Sequence, residues 1–298
     1  MKVIKNITIV IICTIIIILG LEIINITKND WIKENEISFN ATEEKSEKKE
    51  IIIYDIEDGY INVPYNEKAK KCEYDFEKYL NNTDNYYKYE DEKYKSKIGI
   101  DVSLYQQEID WKKVKDSGVE FAILRLGFRG YGQEGKIVID SKFEEYYRNA
   151  ISEGIEIGVY FFSQAINIEE AKEEAEFVIE NIKNKEIRYP VIFDLEKIKY
   201  DSARTDNLNV EEMTNITLEF CKEIKQNGYE PCIYGNAKTF TTKLELEKLN
   251  DYKKWYADYQ KNPIYPYEFC MWQYTENGKV DGIQGNVDLN IFFTKKIE

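Results

Sequence analysis

From residue 97 onward the chain alternates short apolar runs with amphipathic stretches, and this rhythm restricts the fold more than any other feature. Runs at Ile98–Val102, Phe121–Leu126, Ile155–Phe162, Pro190–Glu196, Pro231–Tyr234, Trp255–Tyr259, Phe269–Tyr274 and Val287–Phe292 read as eight strands. Helical periodicity follows the first five: a short helix from Trp111, then Ser141–Glu153, Ile168–Asn184, Val210–Asn227 and Lys238–Leu249. Between the last three strands, Gln260–Glu268 carries two prolines and Glu276–Asn286 three glycines, so both read as loops. Such alternation implies a mainly parallel sheet, and eight strands suit closure. The expected fold is α/β, a modified TIM-like barrel of the form (β/α)5(β)3. An open doubly wound sheet is the competing architecture, but Ile100-Asp101-Val102-Ser103-Leu104 lacks the glycine-rich phosphate loop expected at its first turn.

The most informative strand is Pro190-Val191-Ile192-Phe193-Asp194-Leu195-Glu196. A period of two puts Asp194 and Glu196 on one face and Leu195 on the other. Two acids on one buried face repel and lose hydration, so either a site uses them or the strand ends at Phe193 and both lie in a solvated turn. In barrels of this kind the reactive groups sit at the C-terminal strand ends. Asp101 on the first strand and Asp288 on the eighth join the pair there, and first and eighth strands are neighbours in a closed barrel. Carboxylates converging from distant strands are what glycosidic bond cleavage requires. Aromatic residues collect on the same strands: Tyr160, Phe161, Phe162, Tyr234, Trp255, Tyr256, Tyr259, Trp272 and Tyr274. Each could stack on a sugar ring or simply fill the barrel.

Composition removes competing chemistries. The chain has no histidine, which excludes Ser-His-Asp and Cys-His nucleophiles and the usual His-ligated zinc sites. Its five cysteines lack C-x-x-C spacing, which leaves no zinc ribbon or thioredoxin-like motif. Cys221, Cys232 and Cys270 are expected to be buried free thiols, a disulfide among the four beyond Cys13 being the alternative, and neither metal nor cofactor is expected. A formal net charge of −14 makes nucleic acid a poor partner.

The first 96 residues are different in texture. Ile7–Leu21 is almost unbroken apolar sequence behind Lys2 and Lys5, with no small-residue cleavage site after it. Residues 1–27 are therefore expected to be a single-pass membrane anchor with the rest of the chain outside, a cleaved signal and a secreted protein being the alternative. Residues 28–96 are dense in charge and read as a partly ordered stalk, in which Ile51–Tyr54 and Tyr60–Pro64 form a hairpin or pack on the next domain. Residues 97–298 are the barrel.

The segments GIDVS and IDW (Gly99–Ser103, Ile109–Trp111), FAILRLGF, GVYFFS, PVIFDLE, CIYG, WYADY and MWQYTENGKVDGIQGNVDLN resemble, in order, the glycoside hydrolase family 25 (Chalaropsis-type) lysozymes. The resemblance implies a (β/α)5(β)3 barrel and N-acetylmuramidase activity on peptidoglycan glycan strands; a monomer is expected. It also implies that Glu196 is the general acid/base, that Asp194 assists the substrate acetamido group, and that Asp101 and Asp288 support them. Tyr160, Phe162, Tyr234, Tyr259, Trp272 and Tyr274 are the expected sugar contacts. Many relatives carry histidine where this chain has Phe161, which is expected to alter sugar contacts there. Another N-acetylated glycan such as chitin, or a non-catalytic glycan-binding barrel, is the alternative function. Acetamido assistance further implies net retention without a glycosyl-enzyme bond.

Overall fold

The structure is a computed structural model that describes residues 49–83, 86–199 and 201–296. Contacts divide the chain between Lys49 and Glu50, and the elements of the described residues belong to the unit from Glu50 onward. The expected membrane segment, residues 1–27, lies outside the described residues; among those described, no helix is long and apolar enough to cross a membrane.

A hairpin opens the unit, with β1 (Glu50–Asp55) antiparallel to β2 (Gly59–Pro64). A single helical turn, Phe76–Tyr79, leads into a second hairpin of β3 (Leu80–Thr83) and β4 (Tyr86–Tyr89). The barrel comes next: β5 (Tyr94–Val102), β6 (Phe121–Arg129), a short edge strand β7 (Ile137–Ile139), β8 (Glu156–Phe162), β9 (Val191–Asp194), β10 (Pro231–Asn236), β11 (Lys253–Ala257), β12 (Met271–Gly278) and β13 (Val287–Lys295). Neighbours run β5-β6-β8-β9-β10-β11-β12-β13, and β13 closes back onto β5. Every pairing from β5 round to β12 is parallel, whereas β13 is antiparallel to both of its neighbours.

Helices Trp111–Asp116, Phe143–Ser152, Ile168–Ile182 and Val210–Gln226 occupy the first four crossovers. The longer ones start where an asparagine cap is available: Asn167 Oδ1 accepts from Glu170 N, and Asn209 and Glu212 complete a capping box. The fifth expected helix, Lys238–Leu249, is instead a π-helical turn at Thr239–Lys243 and a 3-10 turn at Leu246–Leu249. Thr239, Thr241 and Thr242 around Phe240 give poor helix propensity, and the Thr241 and Thr242 hydroxyls bond back to carbonyls four residues earlier.

Alternation along each strand sorts the core into two layers. Phe121, Ile123, Ile192, Cys232, Trp255 and Met271 fill the barrel interior. Their immediate neighbours Ala122, Leu124, Val191, Phe193, Ile233, Tyr256 and Trp272 pack outward. At the pole away from the cleft, Phe121 stacks on Tyr189 with ring centroids 4.2 Å apart. Gly99 makes room for this plug, since a Cβ there would collide with the Phe121 ring.

Residues 50–96 are not a separate stalk. Ile53, Val63, Ala69, Phe76, Tyr86 and Tyr89 are buried in the outer core together with barrel residues. Tyr74 stacks on Phe293 at 4.0 Å, and Phe76 lies against Phe269 and Trp272. Residues 28–48 of the expected stalk lie outside the described residues; in 50–96 most charged side chains other than Asp55 are exposed, while aromatic residues cover the helix-free flank made by β12 and β13. The boundary between barrel and preceding chain is therefore at residue 50 rather than 97.

Candidate active site

A cleft of about 710 Å³ opens at the barrel mouth, lined by Asp101, Tyr160, Phe162, Asp194, Glu196, Tyr234, Trp255, Tyr259, Gln273 and Asp288, among others. All four expected acids and four of the six expected sugar contacts meet there. Trp272 and Tyr274 do not. They occupy outward positions of β12, where Trp272 is fully buried, donates from Nε1 to the Asp258 carbonyl at 2.6 Å and stacks on Tyr87, which also contacts Tyr274. The inward residue between them is Gln273. Phe161 likewise points outward, against Phe177 of the helix layer, so its replacement of histidine does not reach the cleft.

Asp288 arrives by a route different from the expected one. It is the second residue of β13, not a residue at the strand's C-terminal end, and it reaches the mouth because β13 runs backwards and pairs Asp288 with Asp101. The two carboxyls share a hydrogen bond. Asp101 Oδ2 also accepts from Asn290 Nδ2 at 2.7 Å and from Gln273 Nε2 at 3.0 Å. Burial raises the Asp101 carboxyl, but these amide donors favour its anion. Asp288 is pushed up to about 9 by burial and by the charge of Asp101, so it carries the shared proton.

Gln273 is held in one orientation. The hydroxyls of Tyr234 and Tyr259 donate to its Oε1 at 2.9 and 3.1 Å, which leaves Nε2 for Asp101. Trp255, an inward residue of β11, donates from Nε1 to Asn290 Oδ1 at 2.8 Å and fixes the second amide in the same way. Gln273 and Asn290 were absent from the sequence-based set of site residues, and Trp255 figured there only among the aromatics that could stack on a sugar or fill the barrel. The signal for Gln273 was strand parity, which favours the residue between the two large rings of Trp272 and Tyr274 over the rings themselves.

Asp194 ends β9, buried, and its carbonyl accepts from Ser163 N at 2.7 Å. Its Oδ1 is buried with no hydrogen-bond partner among the described residues. Burial drives its carboxyl well above the usual range, Glu196 and Asp101 add to the rise, and Arg125 opposes it. Arg125 is an inward residue of β6, anchored by Asp140 Oδ2 at 2.8 Å.

Glu196 lies beyond the strand end, so both alternatives for the acid pair hold in part: Asp194 is a buried strand residue and Glu196 an exposed loop residue. The Glu196 carbonyl accepts from Gln164 Nε2 at 3.1 Å, and Gln164 is steadied by Thr205 Oγ1 at 3.0 Å. Crowding by protein around the cleft pushes the Glu196 carboxyl up to about 7; Lys199 opposes the rise, and Glu57 and Asp101 reinforce it. A carboxyl near 7 beside a second one with an empty acceptor suits acid catalysis with separate roles for the two groups. Among the described residues, no group of acids and thiols is arranged to hold a metal ion.

Residues 100–283 match the family model of glycosyl hydrolases family 25. The chain is 29% identical over 203 residues to the uncharacterized protein YegX of Escherichia coli K12, covering 65% of this chain and 68% of that protein. It is 28% identical over 204 residues to lysozyme M1 of Streptomyces globisporus, covering 65% and 67%. Its fold is similar to that of the modular autolysin LytC from Streptococcus pneumoniae, with a TM-score of 0.59 at 24% identity. That match covers 82% of this chain, which spans 58% of the autolysin structure.

Proposed function

Because the chain belongs to glycosyl hydrolases family 25, we propose that it hydrolyses the β-1,4 bond between N-acetylmuramic acid and N-acetylglucosamine in peptidoglycan, with Glu196 as general acid/base. The observation that carries this reading is the buried, unpartnered Oδ1 of Asp194 beside the cleft. A buried carboxylate oxygen without a donor is costly in the empty protein, and an amide N–H of a 2-acetamido sugar would satisfy it. Such a donor also draws the Asp194 carboxyl down toward ionisation, so substrate binding itself separates the two acids into one anion and one proton donor.

The anion of Asp194 orients the acetamido group and stabilises positive charge as its carbonyl oxygen attacks the anomeric carbon. Glu196 gives its proton to the departing glycosidic oxygen and then takes one from the incoming water. Net retention is the outcome. The Tyr234–Gln273–Asp101–Asp288 network supports the opposite wall, where Tyr160 and Trp255 present ring surface to the sugar.

The test is digestion of purified peptidoglycan with the full chain, followed by mass spectrometry of the released fragments. Muropeptides ending in reducing N-acetylmuramic acid are expected. Glu196→Gln should lower turnover by roughly 10²- to 10⁴-fold with the fold intact, and Asp194→Asn should be comparably damaging. Near-normal turnover in a folded Glu196→Gln protein removes the assignment. We place the working enzyme outside the cell, held by residues 1–27, on the strength of the apolar run behind Lys2 and Lys5.

A further inference from the structure

The hairpin β1–β2 lies outside residues 100–283, yet its turn reaches the catalytic mouth, where Ile56 and Glu57 line the cleft. Several bonds that do not involve the Glu57 side chain hold it there. Asp55 is fully buried; its Oδ2 accepts from Lys238 N at 2.9 Å, and its Oδ1 accepts from the backbone N–H groups of Glu57 and Asp58 at 2.9 and 3.1 Å. Lys238 Nζ binds Asp58, and Gln260 Nε2 donates to Tyr60 OH at 3.1 Å. On this fixed turn Ile56 packs against the barrel-interior cluster that includes Tyr234 and Trp255. The Glu57 carboxylate sits 3.0 Å from Nζ of Lys199, three residues beyond Glu196.

We infer that the turn Ile56–Asp58 belongs to the glycan cleft, with Ile56 offering apolar surface to a sugar ring and Glu57 acting as a positioning residue that steadies the Glu196 segment through Lys199. This rests on the reading of Glu196 as the acid. The need for such a contact arises from the end of β9 at Asp194: Glu196 has no ladder hydrogen bonds, and Gln164 holds it from one side only. Glu57 and Lys199 hold the segment from the hairpin side. The pair is partly exposed, so it is worth at most about a fivefold change in the population of the held segment.

The titratable groups facing Glu196 are Asp194 from β9, Asp101 from β5, Asp288 from β13, Lys199 from its own segment and Glu57 from the hairpin, with Glu276 of β12 acting on Lys199 and Asp288, and the hydroxyls of Tyr234 and Tyr259 beside them. Removing the Glu57 charge leaves Lys199 unopposed, which favours the Glu196 anion. The alkaline limb of the rate profile should then move to lower pH.

The test uses the full chain and a soluble muropeptide oligomer, with Glu57→Gln, Lys199→Gln, the exchange Glu57→Lys with Lys199→Glu, Ile56→Ala, and Glu196→Gln as control. Glu57→Gln should lower kcat about two- to fivefold with little change in KM and shift the alkaline limb downward. The charge exchange should recover kcat relative to either single change at these two positions, and Ile56→Ala should raise KM. The charge variants should melt close to the parent, since the Asp55 bonds are untouched, and Ile56→Ala somewhat below it, since its packing on the interior cluster is lost. If Glu57→Gln and Ile56→Ala match the parent in kcat, KM and pH profile while Glu196→Gln is inactive, the inference fails and the catalytic reading stands. An exchange variant no better than the single changes removes the positioning role. A fully active Glu196→Gln removes both readings.

Discussion

Asp288 shows how a single buried carboxyl in this cleft ties the stability of the folded chain to pH. Its carboxyl is raised by burial and by Asp101, so the folded chain favours the protonated form. An unfolded aspartate titrates near about 3.9. The contribution of Asp288 to stability is therefore complete below about pH 4 and is lost as pH rises toward its folded value of about 9. Asparagine at this position cannot ionise but retains an N–H donor for Asp101. Asp288→Asn should melt higher than the parent under alkaline conditions, with the advantage gone near about pH 4. Thermal melts across that range check it, and an advantage independent of pH would contradict the shared-proton arrangement. The presence of acids at Asp101, Asp194, Glu196 and Asp288 was legible in the sequence. Their protonation was not, because it depends on Asn290, Gln273 and Arg125, whose side chains only the closed barrel brings within reach.

At the scale of elements, apolar runs marked all eight barrel strands because burial on both faces leaves a strong signal. Direction and parity were harder. β13 looks like any other strand in sequence, and its reversal emerges only from its pairing with β5 and β12. On β12 the large rings of Trp272 and Tyr274 drew attention, but they stand an even number of positions from each other and an odd number from Met271, which faces the interior. Gln273 shares the Met271 face. Gln273→Leu should strand the hydroxyls of Tyr234 and Tyr259 and leave Asp101 with one amide donor in place of two; kcat should drop by about tenfold or more, the effect of leaving buried polar groups unpaired. Trp272→Phe removes the Asp258 bond on the outer face instead and should lower the melting temperature with kcat preserved. Steady-state kinetics and melts on the two variants separate these outcomes, and a kcat loss for Trp272→Phe would return that residue to the site.

The whole molecule is larger than the family match. Charge density concealed the role of residues 50–96, in which buried aromatics are spaced among many exposed acids and lysines. A chain beginning at residue 50 should keep its activity, whereas one beginning at residue 97 uncovers Phe269, Trp272 and Phe293 and should be insoluble or inactive. The same series tests the anchor: the full chain should sediment with membranes and the chain from residue 50 should not. A fully active, soluble chain from residue 97 would contradict the first expectation, and full-length protein free in the medium the second.

The reversed last strand also governs how this protein can be handled. Asp288 stands at the catalytic mouth beside Asp101, and seven residues later Lys295 pairs with Tyr94 at the opposite pole, about 23 Å away along an extended strand. A reporter or surface linker joined after residue 296 therefore leaves from the side facing away from the substrate. Immobilised through that end, the molecule would present its open cleft outward, toward a glycan too large to diffuse to it.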